Sequence, residues 1–180
     1  MAFTMWFTGL PAAGKSTVAR LVADDLRARG ARVELLDGDE IRRHLSYGLG
    51  FSRADREENL RRIAYVADLL SRNDVHVIAA AISPFRSVRD EMRLRLGERF
   101  VEIFVDAPLE LCARRDPKGL YAKAFAGEIE NFTGVSDPYE PPLNPELVLQ
   151  TAVELPQESA AKVLTYLDAA APERSLGLAL

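Results

Sequence analysis

The sequence is poor in several features on which other classes of protein depend. It has a single cysteine, Cys112, so an internal disulfide is excluded and the chain fits a reducing cytosol. Its two histidines, His44 and His76, are far apart and have no cysteine neighbours, so they do not make a zinc site. We expect no signal peptide and no membrane span, because no apolar run is long enough, and we find no internal repeat. The net charge of −4 gives no general attraction to nucleic acid or to an anionic membrane.

A phosphate-binding loop stands near the start of the chain. Residues 9–17 match the pattern G-x-x-x-x-G-K-[ST], in which backbone N–H groups surround a phosphate chain. The lysine brings a positive charge to the β- and γ-phosphates, and the hydroxyl after it can bind Mg²⁺. An apolar strand pattern precedes the loop and a helical pattern follows it, which is the context that the motif requires. The predicted ATP-binding residues are Gly9, Leu10, Pro11, Ala12, Ala13, Gly14, Lys15, Ser16 and Thr17.

The 180 residues predict one domain with a three-layer α/β fold. Short apolar stretches at 3–8, 32–36, 75–82, 100–105 and 147–149 indicate about five strands, and helical patterns separate them. We therefore expect a mainly parallel sheet with helices on both faces, as in P-loop NTPases. The domain spans residues 1–170, with a mobile lid at about 114–139, and residues 171–180 are expected to form a loose tail.

Polar residues follow the predicted strands, and parallel strands bring their carboxyl ends to one edge of a sheet. Asp37 and Asp39 follow the second strand. A carboxylate there can hold Mg²⁺ or accept the proton of an attacking hydroxyl, although either residue can also cap the next helix. Asp106 ends the fourth strand, where it competes with Asp39 for the Mg²⁺ role. We favour Asp106 as the cap of the helix that follows Pro108.

Seven motifs in this order resemble those of the adenylyl-sulfate kinases. They are the phosphate-binding loop, Asp37-Gly38-Asp39, Leu49-Gly50-Phe51-Ser52, 55–63, Ile82-Ser83-Pro84-Phe85, 116–121 and Phe132-Thr133-Gly134. The resemblance covers residues 4–151 and implies that ATP, with Mg²⁺, phosphorylates the 3′-hydroxyl of adenylyl sulfate to give 3′-phosphoadenylyl sulfate and ADP. It implies catalytic roles for Lys15, Asp39, Ser83 and Lys118, and a metal site at Ser16 and Asp39. The implied residues for binding adenylyl sulfate are Asp37, Asp39, Arg42, Phe51, Arg56, Asn59, Ile82, Ser83, Lys118, Phe132 and Thr133.

Several of these residues have an ordinary structural alternative. Phe51 offers a ring for adenine to stack on, but it can also be a core aromatic. Arg56 can bind a sulfate or phosphate through its fork of donors, or pair on the helix surface with an acid such as Glu57. Lys118 lies in a charged segment that fits a lid over the phosphates, or an ordinary solvated loop. We assign Arg61 and Arg62 to the helix surface.

Ser83 is the most ambiguous of the predicted site residues. The matching serine of the family is described as a phosphoserine intermediate. No general base stands beside Ser83 in the sequence, and a serine before proline is often a turn residue. We expect direct in-line transfer with Asp39 as the base, while Ser83 positions the substrate.

The resemblance leaves other functions open. A kinase for another small hydroxyl compound and a non-catalytic binding module share the phosphate-binding loop. The loop departs from many relatives, which have Ser and Gly where this chain has Pro11 and Ala12, and this bears on loop rigidity. We expect a cytoplasmic homodimer that forms through the helix from Asp55, and a functional link to a separate ATP sulfurylase.

Overall fold

The computed structural model describes the backbone of residues 2–176 and the side chains of residues 2–170. Five strands form one parallel sheet in the order β2-β3-β1-β4-β5. They are β1 (Thr4–Thr8), β2 (Val33–Asp37), β3 (His76–Ala80), β4 (Phe100–Asp106) and β5 (Leu147–Gln150). The predicted five-stranded parallel sheet is confirmed. Because β1 lies between β3 and β4, the loop after β1 is at the centre of the carboxyl edge.

Seven α-helices connect and cover the strands in the described part of the chain. They are α1 (Lys15–Ala28), α2 (Gly38–His44), α3 (Arg53–Ser71), α4 (Arg86–Leu96), α5 (Leu109–Arg115), α6 (Leu120–Phe125) and α7 (Pro156–Leu176), and a 3₁₀ turn spans Gly97–Arg99. The start of α3 is as the sequence predicts: the Asp55 amide donates to the Ser52 hydroxyl at 3.2 Å, and this hydroxyl donates back to the Asp55 carboxylate.

Apolar side chains fill both sides of the sheet. One cluster packs α1 and α7 against the sheet and includes Phe7, Val22 and Val163. The other packs α3 and α4 against the opposite face, around Trp6 and Ile63. Strands covered on both faces must be apolar almost throughout, which is why β1 reads as a continuous hydrophobic run.

Two features differ from the sequence-based expectations. Asp106 does not cap α5, because β4 continues to Asp106 and the residue that precedes the helix is Pro108, with no side-chain cap. The Asp106 carbonyl instead accepts a hydrogen bond from the Thr151 amide at 3.1 Å, which extends the contact between the β4 and β5 ends. The helix α7 continues to Leu176, so residues 171–176 are helical where we expected a loose tail. The alanines at 169–171 favour helix, which explains this length. Residues 177–180 of the predicted tail lie outside the described residues.

No helix within residues 2–176 is both long enough and apolar enough to cross a membrane.

Candidate active site

The phosphate-binding loop joins the end of β1 to the start of α1. Gly9 has a φ of 149°, and a Cβ on it would lie 2.4 Å from the Val105 carbonyl oxygen of β4, so no larger residue fits there. Gly14 has a φ of 107°, which favours glycine at the turn into the helix. Ala12 also has a positive φ, 58°, in the left-handed region where a side chain is unfavourable. This is the position at which the sequence departs from many relatives.

Lys15 lies inside the loop and is largely buried. Its ammonium group donates to the carbonyl oxygens of Gly9 at 2.9 Å and Leu10 at 2.7 Å. Burial lowers the pKa of Lys15 to about 8, and the nearby Asp37 and Asp39 oppose this shift only in part. The loop therefore holds a desolvated cation where the motif predicts the phosphates of ATP.

Asp37, the last residue of β2, faces the hydroxyl of the phosphate-binding loop. The Ser16 hydroxyl donates to Asp37 at 2.8 Å, and the second carboxylate oxygen of Asp37 accepts from the Asp39 amide at 3.0 Å. Asp37 thus caps α2, which is one of the two interpretations of this residue, and also contacts the loop hydroxyl. The geometry places Asp37, and not Asp39, beside the predicted metal-binding hydroxyl.

Asp39 and Lys118 form an ion pair across the mouth of the site. Both side chains are more than half exposed, so the pair is open to solvent and to an incoming ligand. The contact brings a residue of the predicted lid to the carboxylate that we expect to act as the base. Lys118 is therefore part of the site and not a distant surface loop.

The predicted lid, residues 114–139, is attached to the phosphate-binding loop at several points. Arg115 donates to the carbonyl oxygens of Ala13 at 3.3 Å and Thr151 at 2.6 Å. The buried Tyr121 of α6 donates to the Pro11 carbonyl at 3.0 Å, and its ring meets Phe132 edge-on at 5.0 Å. The segment thus packs directly over the loop that should hold ATP.

Arg42 and Phe51 stack on each other at the other side of the site. The Arg42 guanidinium lies 4.4 Å from the centre of the Phe51 ring and donates to the Gly50 carbonyl at 2.8 Å. Phe51 is 65% exposed, so it is not a core aromatic. One face of this ring is available to a flat ligand.

Arg56 joins α3 to the last part of the lid. Its guanidinium donates to the carbonyls of Phe51 at 2.8 Å and of Asn131, and to the Thr133 hydroxyl at 3.0 Å. It also pairs with Asp137 at 3.1 Å. The predicted surface pairing with Glu57 does not occur, because Glu57 pairs with Arg53 and Arg61.

Asn59 lies one helical turn after Arg56 and is also buried. Its side-chain oxygen has no hydrogen-bond partner among the described residues. A buried polar atom without a partner is costly, and a ligand that donates a hydrogen bond would relieve the cost. Arg61 and Arg62 pair with glutamates at the helix surface, as we expected.

The Ser83 hydroxyl points into the protein and is fully engaged there. It accepts from the Trp6 indole N–H at 3.0 Å and donates to the Ala81 carbonyl at 3.3 Å, and the residue is 1% exposed. The Ser83 backbone has a φ of 42°. This geometry favours a role for the main chain at Ile82 and Ser83, since the hydroxyl is not directed at the cleft.

The site also contains residues on the far side of the phosphate-binding loop that the sequence does not predict. A cleft of about 890 Å³ extends from the loop past Asp37, Asp39 and Lys118. Its wall also contains Arg20, Arg43, His44, Arg115, Thr151, Glu154 and Pro156. Thr151 donates to the Ala13 carbonyl at 2.7 Å, a contact between residues 138 positions apart that no local pattern reveals.

Comparison with known proteins gives a consistent result. The family model for adenylylsulphate kinase matches residues 1–150. The chain is 56% identical over 165 residues to an adenylyl-sulfate kinase of Halothermothrix orenii, covering 92% of this chain and 89% of the relative. It is 60% identical over 149 residues to one from Synechococcus sp. strain JA-2-3B'a(2-13), covering 83% and 85%. The structure of the Mycobacterium tuberculosis APS kinase CysC in complex with AMPPNP and APS superposes with a TM-score of 0.89 at 47% identity, covering 93% and 98% of the two chains.

Proposed function

The chain belongs to the adenylyl-sulfate kinase family, and on that premise we propose how its residues transfer the γ-phosphoryl group of ATP to the 3′-hydroxyl of adenylyl sulfate. The products are 3′-phosphoadenylyl sulfate and ADP. The observation that carries the proposal is the contact of Asp39 with Lys118 at the mouth of the cleft that contains Lys15. A base, a lid cation and a phosphate-binding loop thereby share one site.

The phosphates of ATP lie in the loop between Gly9 and Thr17. Phosphate oxygens offer Lys15 stronger acceptors than the Gly9 and Leu10 carbonyls that it contacts now, so the ammonium turns towards them. The N-terminus of α1 adds its dipole at the same place. ATP binding follows from these groups together.

Magnesium fits the donors beside the loop. Mg²⁺ prefers oxygen ligands and is often held by one or two carboxylates with the phosphates of the substrate. Ser16 and Asp37, 2.8 Å apart, would hold it, directly or through water. No group of three or more potential metal ligands occurs among the described residues, which agrees with a metal that the nucleotide helps to hold. When bound, the ion neutralises charge on the phosphates during transfer.

Asp39 accepts the proton of the 3′-hydroxyl as that oxygen attacks the γ-phosphorus. Asp39 stands at the start of α2, next to the Ser16–Asp37 contact, and its carboxylate points towards the lid. Lys118 moves its positive charge from Asp39 to the transferring phosphoryl group when the substrates fill the site. We infer that transfer is direct, because the buried Ser83 hydroxyl is bonded to Trp6 and Ala81 and is not directed at the cleft.

Adenylyl sulfate occupies the side of the site formed by α3 and the end of the lid. Its adenine stacks on the exposed face of Phe51, opposite the face covered by Arg42. Arg56 and Asn59 lie beneath, with the unpartnered oxygen of Asn59 ready to accept a hydrogen bond from the ligand. The main chain at Ile82 and Ser83, together with Phe132 and Thr133, completes the pocket.

We also propose a setting for the enzyme. The buried, unpaired Cys112 fits a reducing cytoplasm. A homodimer forms through α3, on which Tyr65 is half exposed. A separate ATP sulfurylase supplies adenylyl sulfate.

An ADP-release assay tests this function. Purified protein is given Mg-ATP with or without micromolar adenylyl sulfate, and ADP is measured by a coupled reaction. We expect release that depends on adenylyl sulfate. Equal release without it would indicate an ATPase or a kinase for another hydroxyl compound, while binding of adenylyl sulfate without release would indicate a non-catalytic module.

A further inference from the structure

Arg89 of α4 is a buried cation that donates through all three of its guanidinium nitrogens. Nε donates to the Glu102 carboxylate at 2.7 Å, Nη1 to the Ser83 carbonyl at 2.5 Å and Nη2 to the Glu140 carbonyl at 2.6 Å. The side chain is 2% exposed, so it does not reach a ligand. Its contacts join β4, the end of β3 and the segment after the lid.

The two carbonyls that Arg89 holds belong to segments beside the proposed pocket for adenylyl sulfate. Ser83 has a φ of 42°, a left-handed backbone that is unfavourable for a residue with a side chain. Such a conformation persists only where its surroundings hold it. The Arg89 guanidinium donates to that oxygen, while the Thr8 hydroxyl lies 3.4 Å from it and directs its single proton mainly to the Ile82 carbonyl at 2.8 Å.

The same network continues into the phosphate-binding loop. The Thr8 hydroxyl and the Gly9 amide donate to the Ile82 carbonyl at 2.8 and 3.4 Å. The Tyr139 hydroxyl, next to Glu140, is 2.9 Å from the Thr8 hydroxyl. Arg89 therefore fixes the acceptor side of the site relative to the strand that carries the ATP loop.

The need to neutralise Glu102 does not by itself explain why an arginine at position 89 also bonds to two backbone carbonyls. Lysine would also neutralise Glu102, and a buried ion pair often adds no net stability compared with apolar residues. The planar fork of arginine is what allows one side chain to reach a carboxylate and two separate carbonyls. The choice of residue thus matches the need to hold two segments in register.

We propose that Arg89 is a positioning residue for the acceptor substrate. It acts through the main chain at Ile82–Ser83 and through Tyr139–Glu140, and it touches neither substrate. This inference rests on the proposed function, because that proposal places adenylyl sulfate against Ile82 and Ser83.

The test compares Arg89→Lys with the matched control Arg93→Lys. Arg93 lies one turn further along α4 and shares Glu102. Its other contacts are with the Glu146 carboxylate and the Phe100 ring, not with the backbone of the site. We expect Arg89→Lys to raise the KM for adenylyl sulfate by about tenfold, because lysine cannot hold both carbonyls and the main chain that faces the substrate shifts, with the KM for ATP within about twofold of wild type. Arg93→Lys should change both KM values by less than about twofold.

A purely structural role gives a different pattern. It would lower the melting temperature and the active fraction, and so kcat, and leave both KM values unchanged; that result with Arg89→Lys would overturn the inference. Thr8→Val, which removes the hydroxyl that donates to the Ile82 carbonyl beside Ser83, gives a second test if Arg89→Lys does not fold. We expect it to raise the KM for adenylyl sulfate in the same sense, and an unchanged KM would contradict the inference. The wild-type assay is read first, since a wild type that does not use adenylyl sulfate overturns the proposed function itself.

Discussion

At the scale of single residues, the phosphate-binding loop contains one backbone conformation that its sequence does not favour. Ala12 has a φ of 58°, and the left-handed region costs about 1–2 kcal/mol for a residue with a Cβ. Glycine at this position would remove that strain, but it would also add conformational freedom to the unfolded chain. The balance between the two effects can be measured.

We predict that Ala12→Gly stabilises the protein by up to about 1 kcal/mol, because relief of strain exceeds the added unfolded-state entropy. The free energy of unfolding would be measured by urea denaturation. The matched control is Ala161→Gly, an exposed position inside α7, where the same change should cost about 0.5–1 kcal/mol. Equal destabilisation by both changes would show that Ala12 stores no strain.

The two aspartates after β2 show how far single residues can be interpreted from sequence. Their place after an apolar strand correctly predicts that Asp37 and Asp39 reach the carboxyl edge of the sheet. The sequence does not tell which of them meets Ser16, because that depends on how α2 turns away from the strand. In the structure Asp37 contacts the Ser16 hydroxyl and Asp39 contacts Lys118.

At the scale of elements, the sequence predicts that α3 is a helix, but it does not predict which segments α3 contacts. The apolar spacing and the Ser52 cap predict its bounds, since both signals are local in the chain. The contacts of Arg56 with Asn131, Thr133 and Asp137 span 75 or more positions, and they depend on how the lid folds over the sheet. The resemblance to the family implies that Arg56 binds a ligand, but it does not show that Arg56 also joins α3 to the end of the lid.

We predict that Arg56→Ala raises the KM for adenylyl sulfate at least about tenfold more than the KM for ATP, because a charged donor on the acceptor side is lost. Steady-state kinetics with each substrate varied in turn would measure this difference. Arg61→Ala is the control on the same helix, since Arg61 lies at the surface and pairs there with Glu57 and Glu91. Equal weakening of the two substrates by Arg56→Ala would place Arg56 outside the acceptor pocket.

The lid is the element for which sequence was least informative. Weak periodicity and crowded charges predict an irregular segment, and the six-residue helix α6 within it agrees with that. Its attachment to the ATP loop through Arg115 and Tyr121 comes from tertiary packing. These attachments lead us to expect that closure over ATP would adjust the exposed part around Lys118 and would not move the whole segment as one body.

At the scale of the whole molecule, folding places a cation where it is poorly solvated. The apolar sheet and α1 bury the base of the phosphate-binding loop, so Lys15 gives up water before any phosphate is present. The net charge of −4 offers a triphosphate no general attraction, and binding must therefore come from such local cations. Burial of the Lys15 charge reduces the stability of the free protein, and binding of the phosphates compensates for that loss.

We predict that Lys15→Met abolishes turnover and leaves the fold at least as stable as wild type. The pH dependence separates the two proteins. Because the pKa of Lys15 is lowered to about 8, the folded wild type binds this proton more weakly than the unfolded chain does. The free energy of unfolding of the wild type should therefore rise, relative to the variant, as pH increases from about 8 to about 10.5, by on the order of 3 kcal/mol.

Urea denaturation of both proteins at pH 7.5 and at pH 10 would measure this difference, and groups that do not interact with Lys15 contribute equally to the two profiles. Circular dichroism at pH 7.5 provides the control for folding. If the wild type and Lys15→Met show the same change in stability with pH, the lysine is not desolvated in the free enzyme. The loss of turnover would then come from the missing charge alone. Burial of Lys15 would not reduce the stability of the enzyme before ATP binds.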